Sequence, residues 1–266
     1  MRNILSKKNR ALLTELVRTD FKLRYQGSVL GYAWSLLKPL LLFVILYIVF
    51  VYFLKIGKGI AHYPVYLLLG IVLWNFFNEM TSQSLGSIVG RGDLIRKIRI
   101  PRWIIVFSSS ISALINLGLN LIIVGVFMVV NQVDLTPTII LLPLNIIEIY
   151  LFALGVSLFL AATYVKFRDV SYIWEVVLQA GFYATPIIYP LSLVPSVLVQ
   201  KLLLLSPIAQ AIQEARYNAV THQTLISSSL FHSLWYIATP LVIVLAVLVG
   251  GAMYFRKESK YFAENI

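Results

Sequence analysis

Six stretches of this chain are apolar and long enough to cross a bilayer, which limits the fold before any motif is read. Residues 103–133 and 225–255 contain no Asp, Glu, Lys or Arg. Residues 135–165 are broken only by Glu148, 63–89 only by Glu79, and 170–199 only by Glu175. The run 39–54 is shorter and extends backwards past Lys38. A helix rises ~1.5 Å per residue, so about 20 apolar residues cross a ~30 Å hydrocarbon core. Six membrane-spanning helices are expected. A water-soluble fold would have to bury nearly the whole chain, since 59% of it is hydrophobic and 12% charged. The fold class is all-α and polytopic.

The net charge of +11 is a topology signal rather than a nucleic-acid footprint, because the basic residues collect in alternate gaps. The N-terminal segment, the second gap, the fourth gap and the tail together hold 17 Lys and Arg, against 4 in the odd gaps, with Lys38 set aside as membrane-proximal. Cytoplasmic segments retain Lys and Arg. Both termini are therefore expected in the cytoplasm. No cleavable signal peptide is expected, because the first residues are polar and basic. The chain has no cysteine, which excludes disulfides and thiolate chemistry. It reads as one membrane domain over 1–266. Within it, 1–35 form N-terminal interfacial segments, 36–255 a six-helix core and 256–266 a cytoplasmic tail.

Residues 3–25 have the pattern of an amphipathic helix. Leu13, Val17 and Phe21 recur at four-residue spacing while Arg18 and Lys22 fall on another face. Such a helix lies at an anionic cytoplasmic surface or packs on a partner protein. Gly27 and Gly31 then interrupt the chain, and Tyr32 and Trp34 stand where an aromatic belt marks an interface. The second gap mixes its charges with Leu94, Ile95, Ile98 and Ile100. Those apolar residues suit either docking into another protein's groove or dipping into the headgroup region. Residues 191–232 are apolar but broken by proline, and are expected to form two short helices dipping back into the outer leaflet.

The sequence lacks G-x-x-x-x-G-K-[ST], H-E-x-x-H and G-x-S-x-G, and its three histidines are scattered. No ATP binding or hydrolysis is expected of this chain. Ionisable residues within crossings are functional candidates by default. Glu79 and Glu148 qualify, while Glu175 is expected at headgroup depth or in an ion pair. Two stripes carry more. Phe43, Tyr47 and Phe50 share one face of the first crossing, and Tyr172, Glu175, Gln179 and Tyr183 share one face of the fifth. Aromatic faces stack on sugar rings and Tyr and Gln offer hydrogen bonds, but aromatics also pack between helices or face lipid.

Six segments in order resemble one family. DFKLRYQGSVLGYAWSLLKPL at 20–40 is similar to the N-terminal signature of the permeases of polysaccharide-exporting ABC transporters, the type-2 exporters of O-antigen, capsule and teichoic acid. LIRKIRIPR at 94–102 and FRDV at 167–170 resemble its cytoplasmic loops, and ATPIIYP at 184–190 the end of its fifth helix. SPIA at 206–209 stands where the family usually has Asn-Pro, and FRK at 255–257 followed by YFAE at 261–264 resembles its tail.

The resemblance implies a homodimer in a bacterial inner (plasma) membrane, each half engaging one copy of a separate ATPase that binds ATP and Mg. It implies ATPase coupling through Leu94, Ile95, Arg96, Lys97, Arg99 and Arg102, and through the turn bearing Arg168 and Asp169. It implies an entrance gate around Ser28, Tyr32 and Trp34. The cargo implied is a polyprenyl-diphosphate-linked glycan, its head group captured by Arg18, Lys22 and Arg24. Its path runs over Phe43, Tyr47, Phe50, Tyr172, Gln179 and Tyr183. A type-2 permease for a drug or small lipid, and a proton-coupled flippase dependent on Glu148, are the alternative functions.

Overall fold

The computed structural model describes residues 7–25, 30–57, 59–97, 100–231 and 233–265, and is all-helical among them. In chain order the helices are α1 (Lys7–Tyr25), α2 (Trp34–Tyr47), α3 (Tyr63–Ser87), α4 (Gly92–Lys97), α5 (Trp103–Val130) and α6 (Leu142–Lys166). There follow α7 (Val170–Ala184), α8 (Val197–Leu204), α9 (Pro207–Ala219), α10 (Ser227–Leu230), α11 (Leu234–Glu258) and α12 (Phe262–Asn265). A π-helical segment, Ile48–Phe53, continues α2.

Four spans are long and apolar enough to cross a membrane: Trp34–Phe53, Trp103–Val130, Pro137–Lys166 and Trp235–Tyr261. The other two expected crossings differ for separate reasons. Helix α3 has 25 residues, but its second half carries Asn75, Asn78, Glu79, Thr81, Ser82 and Gln83. It sits inside the bundle, against α5, α6, α2, α9 and α7, so its surroundings are protein rather than lipid. Helix α7 has only 15 residues. It stops at Thr185, whose extended backbone (ψ 138°) is the conformation favoured before Pro186.

The first half of α3 is the centre of the core, and every residue from Val65 to Leu73 is buried. The α6–α11 pair is the most extensive helix contact, and two glycines make it possible. A Cβ at Gly155 would lie 2.6 Å from the Leu248 backbone, and one at Gly251 would strike the Gly155 carbonyl. With no side chain between them the backbones touch, which is how small residues pack helices in a bilayer.

Between α7 and α11 the chain makes the two expected short helices, α8 and α9, separated at Ser206–Pro207, and then the one-turn α10. Helix α8 leaves Leu198 and Leu202 exposed. Helix α9 is buried along most of its length, packed on α6, α3 and α11. In its last turn Arg216 has no exposed surface. Its Nε donates to the Tyr66 carbonyl at 2.9 Å, Nη1 to the Pro186 carbonyl at 2.6 Å and Nη2 to the Ile187 carbonyl at 2.6 Å. Nη1 also reaches Gln213 Oε1 at 2.9 Å, and the guanidinium lies 3.8 Å from the centre of the Tyr66 ring. A side chain on Gly70 would collide with that guanidinium. Charge count alone places Arg216 among loop residues. It is instead a buried cation satisfied by backbone dipoles, the condition under which burial is tolerated.

Candidate functional site

The second half of α3 turns a polar strip outward. Asn75, Asn78 and Ser82 recur at i, i+3 and i+7, so they share a face. Two cavities open on that strip, of about 540 Å³ and 720 Å³, and both are bordered by Lys38 and Leu42 of α2. They form one cleft wrapped around the inner part of α2.

The first cavity lies between α2, α3 and α5, with Trp34, Glu79, Asn116 and Asn120 on its walls. Glu79 accepts from Gln83 Nε2 at 2.7 Å and from Asn116 Nδ2. Asn120 Nδ2 donates to the Asn116 carbonyl at 2.8 Å and to the Ser35 carbonyl at 3.4 Å, tying α5 to the start of α2. Asn116 Oδ1 is buried without a donor.

The second cavity lies between α2, α3 and α7, with Trp174, Glu175, Gln179 and Tyr183 on its walls. Helix α7 is held against α3 by Trp174, whose Nε1 donates to Thr81 Oγ1 at 3.1 Å, and by Phe182 edge-on to Trp74. Gly181 allows that approach, since a Cβ there would lie 2.8 Å from the Trp74 ring. With Trp174 and Leu178 turned to α3, Glu175, Gln179 and Tyr183 line the cleft at four-residue spacing.

The two predicted stripes therefore part company. Gln179 and Tyr183 are on the cleft wall, while Tyr172 stands 71% exposed outside it. Phe43 is buried, 5.6 Å from Tyr47 and edge-on to Phe127 of α5 at 5.4 Å. Phe50 is half-buried and packs on the same core. The α2 stripe thus faces α5, and the neighbouring face, with Trp34, Lys38 and Leu42, faces the cleft. The asparagines of α3 and α5, which sequence reasoning missed, do carry a legible signal. Polar residues at three- or four-residue spacing inside an apolar run mark a face turned away from lipid.

At the N-terminal end, α1 packs on α5, with Arg18 and Lys22 exposed. Asp20 of α1 pairs with Arg91, whose Nη1 also reaches Ser108 Oγ of α5 at 3.2 Å. In α4, Leu94 and Ile95 are half-buried and Arg96 is exposed. Arg102 is half-buried at the start of α5, and α12 touches both α4 and α6. Arg168 and Asp169 are exposed in the turn before α7, Arg168 lying over the Tyr164 ring at 5.1 Å. Ser28 and Arg99 lie outside the described residues, as do the side chains of Arg24, Tyr32 and Lys97.

Amides, a hydroxyl, an ammonium and aromatic edges gathered in an apolar bundle supply hydrogen bonds of both senses and stacking surfaces. Such an arrangement can hold a polar molecule. The ABC-2 type transporter family matches residues 11–220. An O-antigen export system permease protein RfbA from Myxococcus xanthus is 28% identical over 262 residues, covering 97% of this chain and 96% of the relative. One from Klebsiella pneumoniae is 30% identical over 187 residues, covering 69% and 71%.

Proposed function

The chain belongs to the ABC-2 type transporter family, and from that premise we propose that it is the membrane-spanning subunit of an ATP-driven exporter of lipid-linked polysaccharide. The observation that carries the reading is the polar strip Asn75, Asn78 and Ser82. It opens on a cleft between α2 and α7, in a chain similar to O-antigen export permeases over nearly its full length. In this reading the four apolar spans together with α3 and α7 make six crossings, with both termini cytoplasmic. Helices α8 and α9 re-enter the outer leaflet. The alternation of basic gaps supports that orientation in a bacterial inner membrane.

Two copies of the chain pair across the exposed faces of α2 and α7, so that two clefts face one path. A separate ATPase subunit, with its ATP and Mg, docks at each α4 and at the turn holding Arg168 and Asp169. The apolar Leu94 and Ile95 anchor α4 while Arg96 stays exposed to the partner. The polyprenyl diphosphate approaches along the basic face of α1. The glycan then slides over amides and aromatic edges by weak, repeated contacts.

The test is to purify the chain in mild detergent from cells expressing its neighbouring genes. A stoichiometric partner with a phosphate-loop ATPase, stimulated by a lipid-linked glycan, is expected. Leucine at both Asn75 and Asn78 should abolish that stimulation while the complex still assembles. A stable complex without an ATPase would sink the exporter reading. Undiminished stimulation in the double variant would sink the assignment of the cleft.

A further inference from the structure

Away from the cleft, α6 and α9 bring two carboxyl groups together with no basic partner among the described residues. Glu148, on the second turn of α6, is only 7% exposed, and its Oε1 has no hydrogen-bond partner. Across the interface stands Glu214 of α9, half-buried. Asn145 Nδ2 donates to Glu214 Oε2 at 3.3 Å, and Asn218 Nδ2 donates to Asn145 Oδ1 at 3.0 Å. Gln210, one turn before Glu214, hydrogen-bonds it and leaves its own Oε1 buried without a donor. Thr138, from the turn before α6, closes the rim by donating to the Asn218 carbonyl at 3.1 Å. The nearest arginine in sequence, Arg216, commits all three guanidinium nitrogens to carbonyls and Gln213.

Two facing carboxyl groups and two orphaned acceptor oxygens in a buried place lack a cationic partner among the described residues. The donors are hard carboxylate and amide oxygens from several turns, the chemistry that suits Mg or Ca rather than a softer metal. A divalent ion neutralises both carboxylates at once. Glu214, being half-buried, leaves a way in for the ion and for the waters that complete its shell.

We propose that Glu148, Glu214 and Gln210 form a binding site for a hard divalent cation, Ca2+ or Mg2+, that clamps α9 to α6. The site itself does not depend on the export reading. Only its access from the outer side rests on the topology proposed above.

The protein, with any partner that co-purifies, is stripped with chelator at neutral pH and titrated with CaCl2 or MgCl2. The reference is NaCl at matched ionic strength, and thermal unfolding is followed. A saturable rise in unfolding temperature is expected, with half-saturation at about 10⁻⁴–10⁻³ M, as in exposed oxygen-ligand sites. Equilibrium binding of radioactive Ca2+ or of Mn2+ should show one site per chain. Glu148→Gln and Glu214→Gln should each weaken it by about tenfold or more. A wild-type titration that differs in no way from NaCl overturns the proposal without recourse to any variant. So does stabilisation by acid alone, which would mean that the pair is satisfied by a proton. Because the readout is binding, loss of export activity elsewhere does not bear on it.

Discussion

From Val65 to Leu73, α3 is sealed on every side, whereas from Asn75 to Gln83 the same helix opens on a cleft bordered by α2 and α7. The sealed half admits one charged group, Arg216, and meets every one of its nitrogens with an acceptor. The open half carries amides whose partners are neighbouring side chains and whose faces remain free to exchange them. One helix thus combines a fixed half with an adaptable wall. Burial and polar satisfaction, rather than hydrophobicity alone, separate what is held from what works.

The largest effect is expected from the fixed half. Arg216→Leu leaves the carbonyls of Pro186 and Ile187 without their guanidinium donors, each at a cost of about 1–3 kcal/mol, and takes a second donor from the Tyr66 carbonyl, which keeps its helical bond. Folded protein recovered in detergent should fall to little or nothing, and Gly70→Leu should do the same by collision. Normal yield and unfolding temperature for both would show that this half is not fixed. Next comes Gly155→Leu, which pushes α6 off α11 and should cost about 1–3 kcal/mol. A loss of that size, read as a lowered unfolding temperature, would sharpen the contrast by showing that rigidity extends along α6.

The open half should behave in the opposite way. The double change Asn75→Leu and Asn78→Leu should leave the unfolding temperature within a few degrees of wild type and remove cargo-stimulated ATPase activity. A collapse of stability instead would break the contrast, since the strip would then be structural. Smallest is Asp20→Asn, which removes a partly exposed pair worth about 0.2–1 kcal/mol. It should loosen α1 enough to raise its hydrogen exchange without unfolding the bundle.

The helical class and four of the crossings were legible because an apolar run of bilayer length has little use in a fold except to cross a bilayer. Helix α3 was legible as a long helix but not as the bundle's centre. Its first half, Val65 to Leu73, has no polar strip to mark which side meets protein and which meets lipid. Periodicity correctly put Phe43, Tyr47 and Phe50 on one face, yet it does not name the neighbour, and the neighbour is α5. On α7 the stripe divides: Gln179 and Tyr183 lie on the cleft wall beside Trp174 and Leu178, while Tyr172 lies outside it. Arg216 misled for an electrostatic reason. A basic residue near a membrane is usually in water, and only the acceptors at Tyr66, Pro186 and Ile187, distant in sequence, reverse that expectation. Glu148 stood out as unexplained within its run, and the fold supplies Glu214 as the group it faces.

The buried arginine also carries a timing. Its acceptor carbonyls belong to residues 150, 30 and 29 positions earlier in the chain. During synthesis the cage is therefore made before the charge that fills it, and α9 has a destination as soon as it emerges. Until then the carbonyls of Pro186 and Ile187 lack their guanidinium donor, and the corner at Pro186 is not yet fastened to α9. The guanidinium is thus the last piece of this contact to be synthesised, and its docking joins α3, the Pro186 corner and α9 in one step.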